Sequence, residues 1–267
     1  MTQFVRINRR LFLARLGKGT MALAVLGACG SNTGGTSTTA AVTTGPASTI
    51  APTTTTGASA TTTTTTAAPS TALAEYLRVD LGFVSAYVVV RGSEAAVVDT
   101  GVSGSEAAIE AALGTVDLGW DAVGHVILTH HHPDHVGSMP AVLNAAAAAA
   151  GYIGEGDRDN VSGPRELLGL NDSDEVFGLT VIGTPGHTAG HISLFDPVAS
   201  VLIAGDALNG ADGAVAGPNP QFSEDHNEAL ATVGKMAGYE YETLYFGHGE
   251  PVFEGASALV AGLAESQ

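Results

Sequence analysis

The sequence predicts a layered α/β domain, and two observations carry that prediction. Short apolar runs rich in Val, Ile and Leu recur along residues 74–267, and each ends in Gly, Asp, Pro or His. Segments rich in Ala, Leu and Glu at helical spacing lie between these runs. Strands that alternate with helices are typical of sheets covered by helices. Just under 200 residues build one large hydrophobic core but hardly two, so we expect a single domain.

The order of the elements follows from these runs. Buried strands are predicted at 86–90, 95–98, 125–128, 179–182, 191–195, 201–203 and 243–246. Helices are predicted at 105–113, 140–150, 225–237 and 256–264, with the alanine run 145–150 as the end of a helix packed closely on its sheet. Residues 151–173 are predicted to be irregular, and 208–222 to be a Gly/Pro-rich loop. We expect both segments to shape the pocket.

The first 73 residues differ from the rest in composition. Residues 1–10 are basic, a short apolar run follows, and Leu26-Gly27-Ala28-Cys29 resembles a bacterial lipobox. Asn8-Arg9-Arg10-Leu11-Phe12-Leu13 resembles a twin-arginine signal. We therefore expect residues 1–29 to be an export signal, with Cys29 lipidated and the protein held on the outer side of the cytoplasmic membrane. An ordinary cleavage site near an apolar Cys29 is the alternative.

Residues 30–73 predict a disordered spacer. From 31 to 72 there is no charged residue, and 18 of these positions are Thr. Such a stretch has too little large apolar surface to offset the entropy of ordering it. Its expected role is that of a tether, with O-glycosylation of its Thr residues as a further expectation.

Charge and cysteine content exclude several classes of function. From residue 74 onward there are five Lys and Arg against 27 Asp and Glu, a net charge of 5 − 27 = −22. So acidic a chain repels phosphate backbones, and we expect no nucleic-acid partner. A single Cys forms no intrachain disulfide and no thiolate metal cluster. Any metal must therefore be held by His and carboxylate side chains.

The candidate site residues follow apolar runs. All nine histidines fall between His125 and His248, and the run 126–129 leads into His130-His131-His132-Pro133-Asp134-His135. Further donors follow at Thr184-Pro185-Gly186-His187, Ala204-Gly205-Asp206 and Phe246-Gly247-His248. Imidazole and carboxylate are suitable ligands for first-row metals. Because loops at the ends of rigid strands are well placed for chemistry, the pattern predicts a metal site.

These motifs resemble the metallo-β-lactamase superfamily over residues 76–250, including the turn at Asp99-Thr100-Gly101. The resemblance implies a four-layer αβ/βα sandwich with two mixed β-sheets flanked by helices. It implies two metal ions, expected to be Zn²⁺ with iron or manganese possible. One is held by His130, His132 and His187, the other by Asp134, His135 and His248, with Asp206 bridging them. A metal-held hydroxide is then the nucleophile, and Asp134 is the catalytic residue that orients it.

Differences from the residue patterns of known subgroups of the superfamily restrict the reactions that the resemblance implies. Zinc β-lactamases typically carry Cys or Ser where Asp206 stands, which argues against a β-lactamase. Only residues 249–267 follow His248, whereas glyoxalase II carries a helical extension there that binds glutathione. Asn209 stands where quorum-quenching lactonases commonly have Tyr. Together with the expected export signal, the resemblance therefore implies an exported dinuclear zinc hydrolase acting on an ester, thioester, lactone or related acyl bond of a small molecule. The alternatives are a mononuclear iron persulfide dioxygenase, a β-lactamase, and a non-catalytic metal-binding surface protein.

The remaining polar residues of the motifs have supporting roles in this interpretation. We expect His191 to hydrogen-bond a ligand, His131 to point away from the metals, and Asp99 to tie down its turn. His125 is expected to be structural, and His226 to cap a helix or to be solvated. Arg158 and Arg165 lie in the segment 151–173, which is expected to border the site. Oligomeric state does not follow from the sequence.

Overall fold

The computed structural model describes residues 73–211 and 213–267, together with the backbone of residues 4–7. Fourteen strands and five α-helices lie in these residues. The strands are β1 (Phe4–Ile7), β2 (Glu75–Asp80), β3 (Ser85–Arg91), β4 (Glu94–Val98), β5 (Val123–Leu128), β6 (Ala150–Gly154), β7 (Leu168–Leu170), β8 (Glu175–Val176), β9 (Leu179–Gly183), β10 (Ile192–Asp196), β11 (Val201–Ile203), β12 (Asn209–Ala211), β13 (Ala214–Ala216) and β14 (Thr243–Tyr245). The helices are α1 (Glu106–Gly114), α2 (Pro133–Val136), α3 (Met139–Ala145), α4 (His226–Met236) and α5 (Ala256–Glu265).

Two mixed sheets form the centre of the fold. The first has the strand order β1-β2-β3-β4-β5-β6-β7, with antiparallel pairing as far as β4 and parallel pairing from β4 to β7. The second has the order β14-β11-β10-β9-β8, in which β11 and β14 are parallel and the other pairs are antiparallel. Strands β12 and β13 form a separate hairpin.

Successive side chains of a strand point to opposite faces of the sheet, and the buried apolar side chains pack in three cores. Val88 packs on the outer face of the first sheet, with residues of α1 and α3, whereas its neighbour Val89 packs between the two sheets. In the second sheet Val181 faces the space between the sheets, and Ile182 faces α4 and α5. The layers therefore run helices, sheet, sheet, helices. This confirms the predicted four-layer sandwich of two mixed sheets flanked by helices.

The alanine run does not have the predicted structure. Helix α3 ends at Ala145, and residue 150 already belongs to strand β6, so the prediction of a helix over 140–150 is wrong in its second half. The guanidinium of Arg165 donates hydrogen bonds to the carbonyls of Leu143, Ala147 and Ala149. These carbonyls are thus satisfied without a further helical turn, and the chain enters the sheet parallel to β5.

The segment 151–173 is also more regular than predicted. It contains most of β6, a 3₁₀ helix at Glu155–Asn160 and strand β7. Its glycines explain the close packing, because a Cβ at Gly154 would collide with the carbonyl of Gly190. The prediction of an irregular segment is therefore wrong over these elements.

The N-terminal predictions fall mostly outside the described residues. Residues 1–3 and 8–72 are not described, so the export signal, the lipidation of Cys29 and the disordered linker stay predictions. Residues 4–7 pair with β2 in antiparallel register, Phe4 opposite Val79. Among the helices of the described part of the chain, none has the length and apolar character needed to cross a membrane.

Candidate metal centre

All of the predicted ligands follow strands at one end of the two sheets. Residues 130–135 follow β5 and enter the short helix α2, where Pro133 takes the first turn and supplies the fixed φ that a helix start requires. His187, Asp206 and His248 follow β9, β11 and β14. Since β9 and β11 are both antiparallel to β10, and β14 is parallel to β11, their carboxyl ends lie at the same edge of the second sheet.

Three histidines form the first group of donors. One ring nitrogen from each of His130, His132 and His187 lies within 4.8 Å of the others. His187 Nε2 is 2.9 Å from His132 Nδ1, and the rings meet edge to face. His130 and His187 are buried, whereas His132 is half-buried. These are the three residues that the sequence predicts to hold one of the metal ions.

Asp134, His135 and His248 form the second group. Asp134 Oδ2 lies 3.3 Å from His248 Nε2 and 3.8 Å from His135 Nε2. His135 is fully buried, while Asp134 and His248 are partly exposed. The second group therefore opens towards solvent on the side of Asp134 and His248.

Asp206 joins the two groups. Its Oδ1 is 3.3 Å from His135 Nε2, and its Oδ2 is 3.2 Å from His248 Nε2 and 3.4 Å from His187 Nε2. His130 Nε2 lies 4.0 Å from the same Oδ2. The structure thus brings all seven predicted ligands into one continuous cluster.

The donor atoms themselves fit a pair of cations. Three buried polar atoms that face other donors of the cluster have no hydrogen-bond partner: His130 Nε2, His135 Nε2 and Asp206 Oδ1. A buried polar atom left without a partner costs about 1–3 kcal/mol, so a native site holds such atoms for a reason. Nitrogen and carboxylate donors without a thiolate suit zinc, iron or manganese. The residues present therefore fit divalent metal ions.

Comparison with known proteins agrees with this geometry. The family model described as "Metallo-beta-lactamase superfamily" matches residues 79–248, which include every ligand of both groups. The chain belongs to the metallo-beta-lactamase superfamily.

Curated relatives in the superfamily include proteins with and without an assigned activity. Uncharacterized protein YobT of Bacillus subtilis (strain 168) is 30% identical over 62% of this chain and 83% of its own length. A hydroxyacylglutathione hydrolase of Rhodospirillum rubrum is 32% identical over 49% of this chain. The match spans 50% of the length of that hydrolase.

A solved structure shares the fold. The protein TTHA1623, solved in a di-iron-bound form, aligns with a TM-score of 0.54 and 22% identity, covering 66% of this chain and 92% of that one. The metallo-beta-lactamase fold of the chain is therefore supported by sequence and by structure.

The outer partners of the ligands fix their orientation. Asp99 Oδ2 lies 2.9 Å from His135 Nδ1, and the Asp99 carboxylate also accepts hydrogen bonds from the amide and hydroxyl of Thr129, each at 2.8 Å. The Thr129 hydroxyl in turn lies 3.0 Å from His130 Nδ1. Asp99 has a φ of 55°, which is unusual for a residue with a side chain and is found where a site requires it. One carboxylate thus orients a ligand of each metal group.

His191 and Phe83 support the other side of the centre. His191 Nε2 accepts a hydrogen bond from the amide of Asp206 at 3.0 Å, and its Nδ1 lies 2.8 Å from Thr184 Oγ1. His248 Nδ1 donates to the carbonyl of Phe83 at 2.5 Å, and the two rings stack. The predicted supporting role of His191 agrees with these contacts, whereas Phe83 had no signal in the sequence beyond its place in a turn.

The charges of the metal-free cluster follow from its burial. Burial, reinforced by neighbouring imidazoles, lowers the pKa of His130 well below its usual range, and burial lowers the pKa of His187 to about 4. Burial alone would lower the pKa of His248, but hydrogen bonds to Asp134 and Asp206 raise it to about 10. The hydrogen bond from His248 lowers the pKa of Asp134. At neutral pH the first trio is therefore neutral and ready to bind a cation.

Other predicted residues take several roles. His131 points away from the ligand nitrogens, and its Nδ1 lies 3.1 Å from Asp157 Oδ2. His125 packs against the rings of Tyr152 and Phe177. At the start of α4 the capping group is Asp225, which accepts a hydrogen bond from the amide of Glu228, so the capping interpretation of His226 is wrong.

The two arginines and the hairpin also have defined contacts. Arg158 pairs with Glu155 at 3.0 Å, and Arg165 binds the carbonyls that follow α3. Neither guanidinium is held by a ligand of the cluster. The predicted loop 208–222 contains the hairpin β12–β13, whose Gly210 amide donates to the carbonyl of His248 at 2.9 Å. The hairpin is therefore joined to the backbone of the ligand His248, and the role of segment 208–222 in shaping the pocket stays a prediction.

Replacing Asp99 by asparagine is expected to weaken metal binding by ~10–100-fold, because outer partners that orient ligands contribute that much to affinity. The amide cannot accept from His135 and from both Thr129 groups at once. Metal affinity measured by chelator competition checks the expectation. Asp174→Asn, which changes a carboxylate that caps an exposed turn at Asn171, is the control. Unchanged affinity in Asp99→Asn would contradict the assigned role.

Proposed function

We propose that the protein is a dinuclear metal-dependent hydrolase that cleaves an ester, thioester, lactone or related acyl bond of a small molecule, with zinc as the metal. The observation that carries the proposal is Asp206, whose two oxygens approach donors of both groups. A structural zinc site is closed at four ligands, whereas seven donors in two joined groups suit a catalytic pair of ions.

The proposed ligand sets are those of the two groups. His130, His132 and His187 would hold one ion, Asp134, His135 and His248 the other, and Asp206 would contact both. Two such cations would supply Lewis-acid chemistry, because they polarise a carbonyl oxygen and lower the pKa of a bound water towards ~7. The burial of His130 and His187 keeps competing water away from their nitrogens.

Asp134 is the proposed catalytic residue. Its carboxylate is partly exposed and lies 3.3 Å from His248 Nε2, at the open side of the cluster. The hydrogen bond from His248 lowers the pKa of Asp134, so this carboxylate is ionised at neutral pH. An ionised carboxylate at this position would accept a hydrogen bond from the attacking water, orient it and take up its proton.

The cations of the folded domain favour an uncharged substrate. The structure describes five Lys and Arg side chains, and each of them is bound to other groups of the protein. The pairs are Arg78 with Glu250, Arg91 with Asp196, Arg158 with Glu155, Lys235 with Asp172, and Arg165 with backbone carbonyls. An anionic thioester such as a glutathione conjugate needs a cation to bind its carboxylates. We therefore propose neutral esters and lactones ahead of glutathione thioesters.

Metal analysis of the full chain, purified without added metal, tests the proposal. We expect about two zinc ions per chain and turnover of neutral esters or lactones that is lost on chelation and restored by zinc. About one iron per chain with oxygen uptake on a persulfide would replace the proposal with the dioxygenase. Turnover confined to β-lactams would replace it with a β-lactamase. A chain that binds no metal would contradict all three.

Asp134→Asn is the matched variant for that assay. Loss of a ligand and proton acceptor should lower kcat/KM at least ~10–100-fold, and more if the metal is also lost. Asp159→Asn, which changes an exposed carboxylate, is the control. Turnover by Asp134→Asn within about twofold of wild type would show that the assigned mechanism is wrong.

We also propose that the protein is exported and lipid-anchored through Cys29. The support is the basic start, the apolar run and Leu26-Gly27-Ala28-Cys29. Cys29→Ser should move the protein from the detergent-extractable membrane fraction to the soluble exported fraction, measured by fractionation and immunoblotting. A Cys29→Ser protein that still needs detergent for its release would exclude lipidation at this residue.

A further inference from the structure

Asp157 lies beside the metal centre but ligates nothing in it. It belongs to the 3₁₀ helix Glu155–Asn160 that follows β6, and its side chain has no exposed surface. The flanking sequence Glu155-Gly156-Asp157-Arg158-Asp159-Asn160 looks like a solvated polar turn, so the sequence carries no signal for its burial. A fully buried carboxylate requires hydrogen-bond donors around it.

Those donors come from the two loops that hold the first trio. Asp157 Oδ2 accepts from the amide of His131 at 3.0 Å and from the hydroxyl of Thr188 at 2.6 Å. Its Oδ1 accepts from the amide of Gly190 at 2.7 Å. His131 stands between the ligands His130 and His132, and Thr188 directly follows the ligand His187. A single carboxylate therefore ties together the two backbone segments that carry all three histidines.

Close packing makes this link rigid. A Cβ at Gly190 would collide with the amide of Asp157, and a Cβ at Gly156 would lie 2.9 Å from the carbonyl of Ala189. The turn and the loop thus meet backbone to backbone at these glycines. Glu224 adds a second tie on the exposed side, where it accepts from the amide of Ala189 at 3.0 Å.

We propose that Asp157 is a positioning residue that sets the spacing of His130, His132 and His187, and so the metal affinity of that trio. The inference rests on the proposed function for the metals themselves. It differs from the roles of Asp99 and His191, because Asp157 contacts the backbone and side chains of residues next to the ligands, and contacts no ligand side chain. Metal sites tolerate little displacement of their ligands, and outer groups commonly change affinity 10–100-fold.

Asp157→Asn is the direct test. The Asn side chain has only one oxygen that accepts hydrogen bonds, so its NH₂ group faces the N–H of His131 or that of Gly190. Two donors then face each other, and the link between the loops opens. In a Zn²⁺ titration of the full chain with a competing chelator, we expect one of the two binding events to weaken ~10–100-fold and the other to change less than threefold. In the Co²⁺-loaded protein the visible bands of the weakened site should shift.

Thr188→Val is the second variant, and it allows the role of Asp157 to be tested even if Asp157→Asn does not fold. It removes one of the three hydrogen bonds at nearly constant shape, so we expect about a threefold to tenfold loss in the same binding event. Asp196→Asn is the matched control. Asp196 is equally buried and accepts from Arg91, Tyr76 and the amides of Val198 and Ala199, so it should lower the Tm of the metal-free protein and leave both binding events unchanged.

The outcomes separate this inference from the proposed function. Wild-type protein with two bound metals and unchanged affinities in Asp157→Asn and Thr188→Val would overturn the role of Asp157 alone. Equal weakening of both binding events in Asp157→Asn and Asp196→Asn would also overturn it, since general destabilisation would then be the cause. Wild-type protein that binds two metals but hydrolyses no acyl substrate would overturn the proposed function and leave the role of Asp157 standing. Wild-type protein without metal affinity would overturn both.

Discussion

Asp206→Ala should leave the protein with about one metal ion or fewer and lower kcat/KM by at least ~100-fold. Outer partners of ligands already account for 10–100-fold, and Asp206 contacts donors of both groups directly. The substitution also removes one of the two carboxylates among the seven donors of the cluster. Asp134 is then the only carboxylate among the ligands that can offset the charge of two divalent cations.

The measurement is metal content by mass spectrometry together with turnover of a responsive ester. Asp206→Asn is the isosteric companion, because it retains one oxygen on which a metal can be held and so should lose less metal than Asp206→Ala. Asp159→Ala, in an exposed turn, controls for loss of a surface carboxylate. Two metals and turnover within threefold of wild type in Asp206→Ala would show that the two groups do not depend on a shared carboxylate.

The ligands could be found from the sequence because each directly follows a strand with a strong apolar signal. The run before His130 and the run before Asp206 are fully buried, and buried strands of Val, Ile and Leu are the clearest pattern that a single sequence offers. Once the strands are placed, the donors fall at their carboxyl ends. That regularity identifies the donor-bearing loops, whereas the assignment of the seven ligands, the two mixed sheets and the outer helical layers came from the resemblance to the superfamily.

Elements with weak local signals were missed. Strand β6 contains two glycines in five residues, and β7 has three residues within a polar segment, so neither presents an apolar run of strand length. Both are stabilised by their neighbours in the parallel sheet. Helix α3 shows the opposite error, because the propensity of Ala145–Ala150 for helix is overridden by the demands of β6 and by Arg165.

The supporting residues of the site were found only in part. Asp99 and His191 lie inside recognisable motifs, and both contact the ligands. Asp157 and Phe83 act through tertiary contacts over long sequence separations, and Asp157 sits among charged residues that predict an exposed turn. The hydrophobic pattern of a single sequence indicates which faces of helices and strands are buried. It carries little information on which carboxylate is buried among hydrogen-bond donors.

Gly247→Ala is expected to weaken metal binding at least ~10-fold, although the change adds only one methyl group. A Cβ at this position would collide with Asp206 Oδ1 and would lie 2.7 Å from His135 Cε1. The backbone has no freedom to retreat, because the Gly247 amide donates to the carbonyl of Gly205 at 2.9 Å and its carbonyl accepts from the amide of Ser85 at 2.8 Å. Two ligands must therefore move instead.

Gly262→Ala is the matched control for this prediction. Gly262 lies in α5, and a Cβ there meets no atom within 4 Å. Alanine is favoured over glycine within a helix, so the control should raise the free energy of unfolding by up to about 1 kcal/mol and leave metal affinity unchanged. Chelator competition and thermal unfolding of the metal-free proteins give both quantities. If Gly247→Ala bound metal as tightly as Gly262→Ala, then Asp206 and His135 would have room to shift without loss of ligation, and the close fit at this glycine would not set the geometry of the centre.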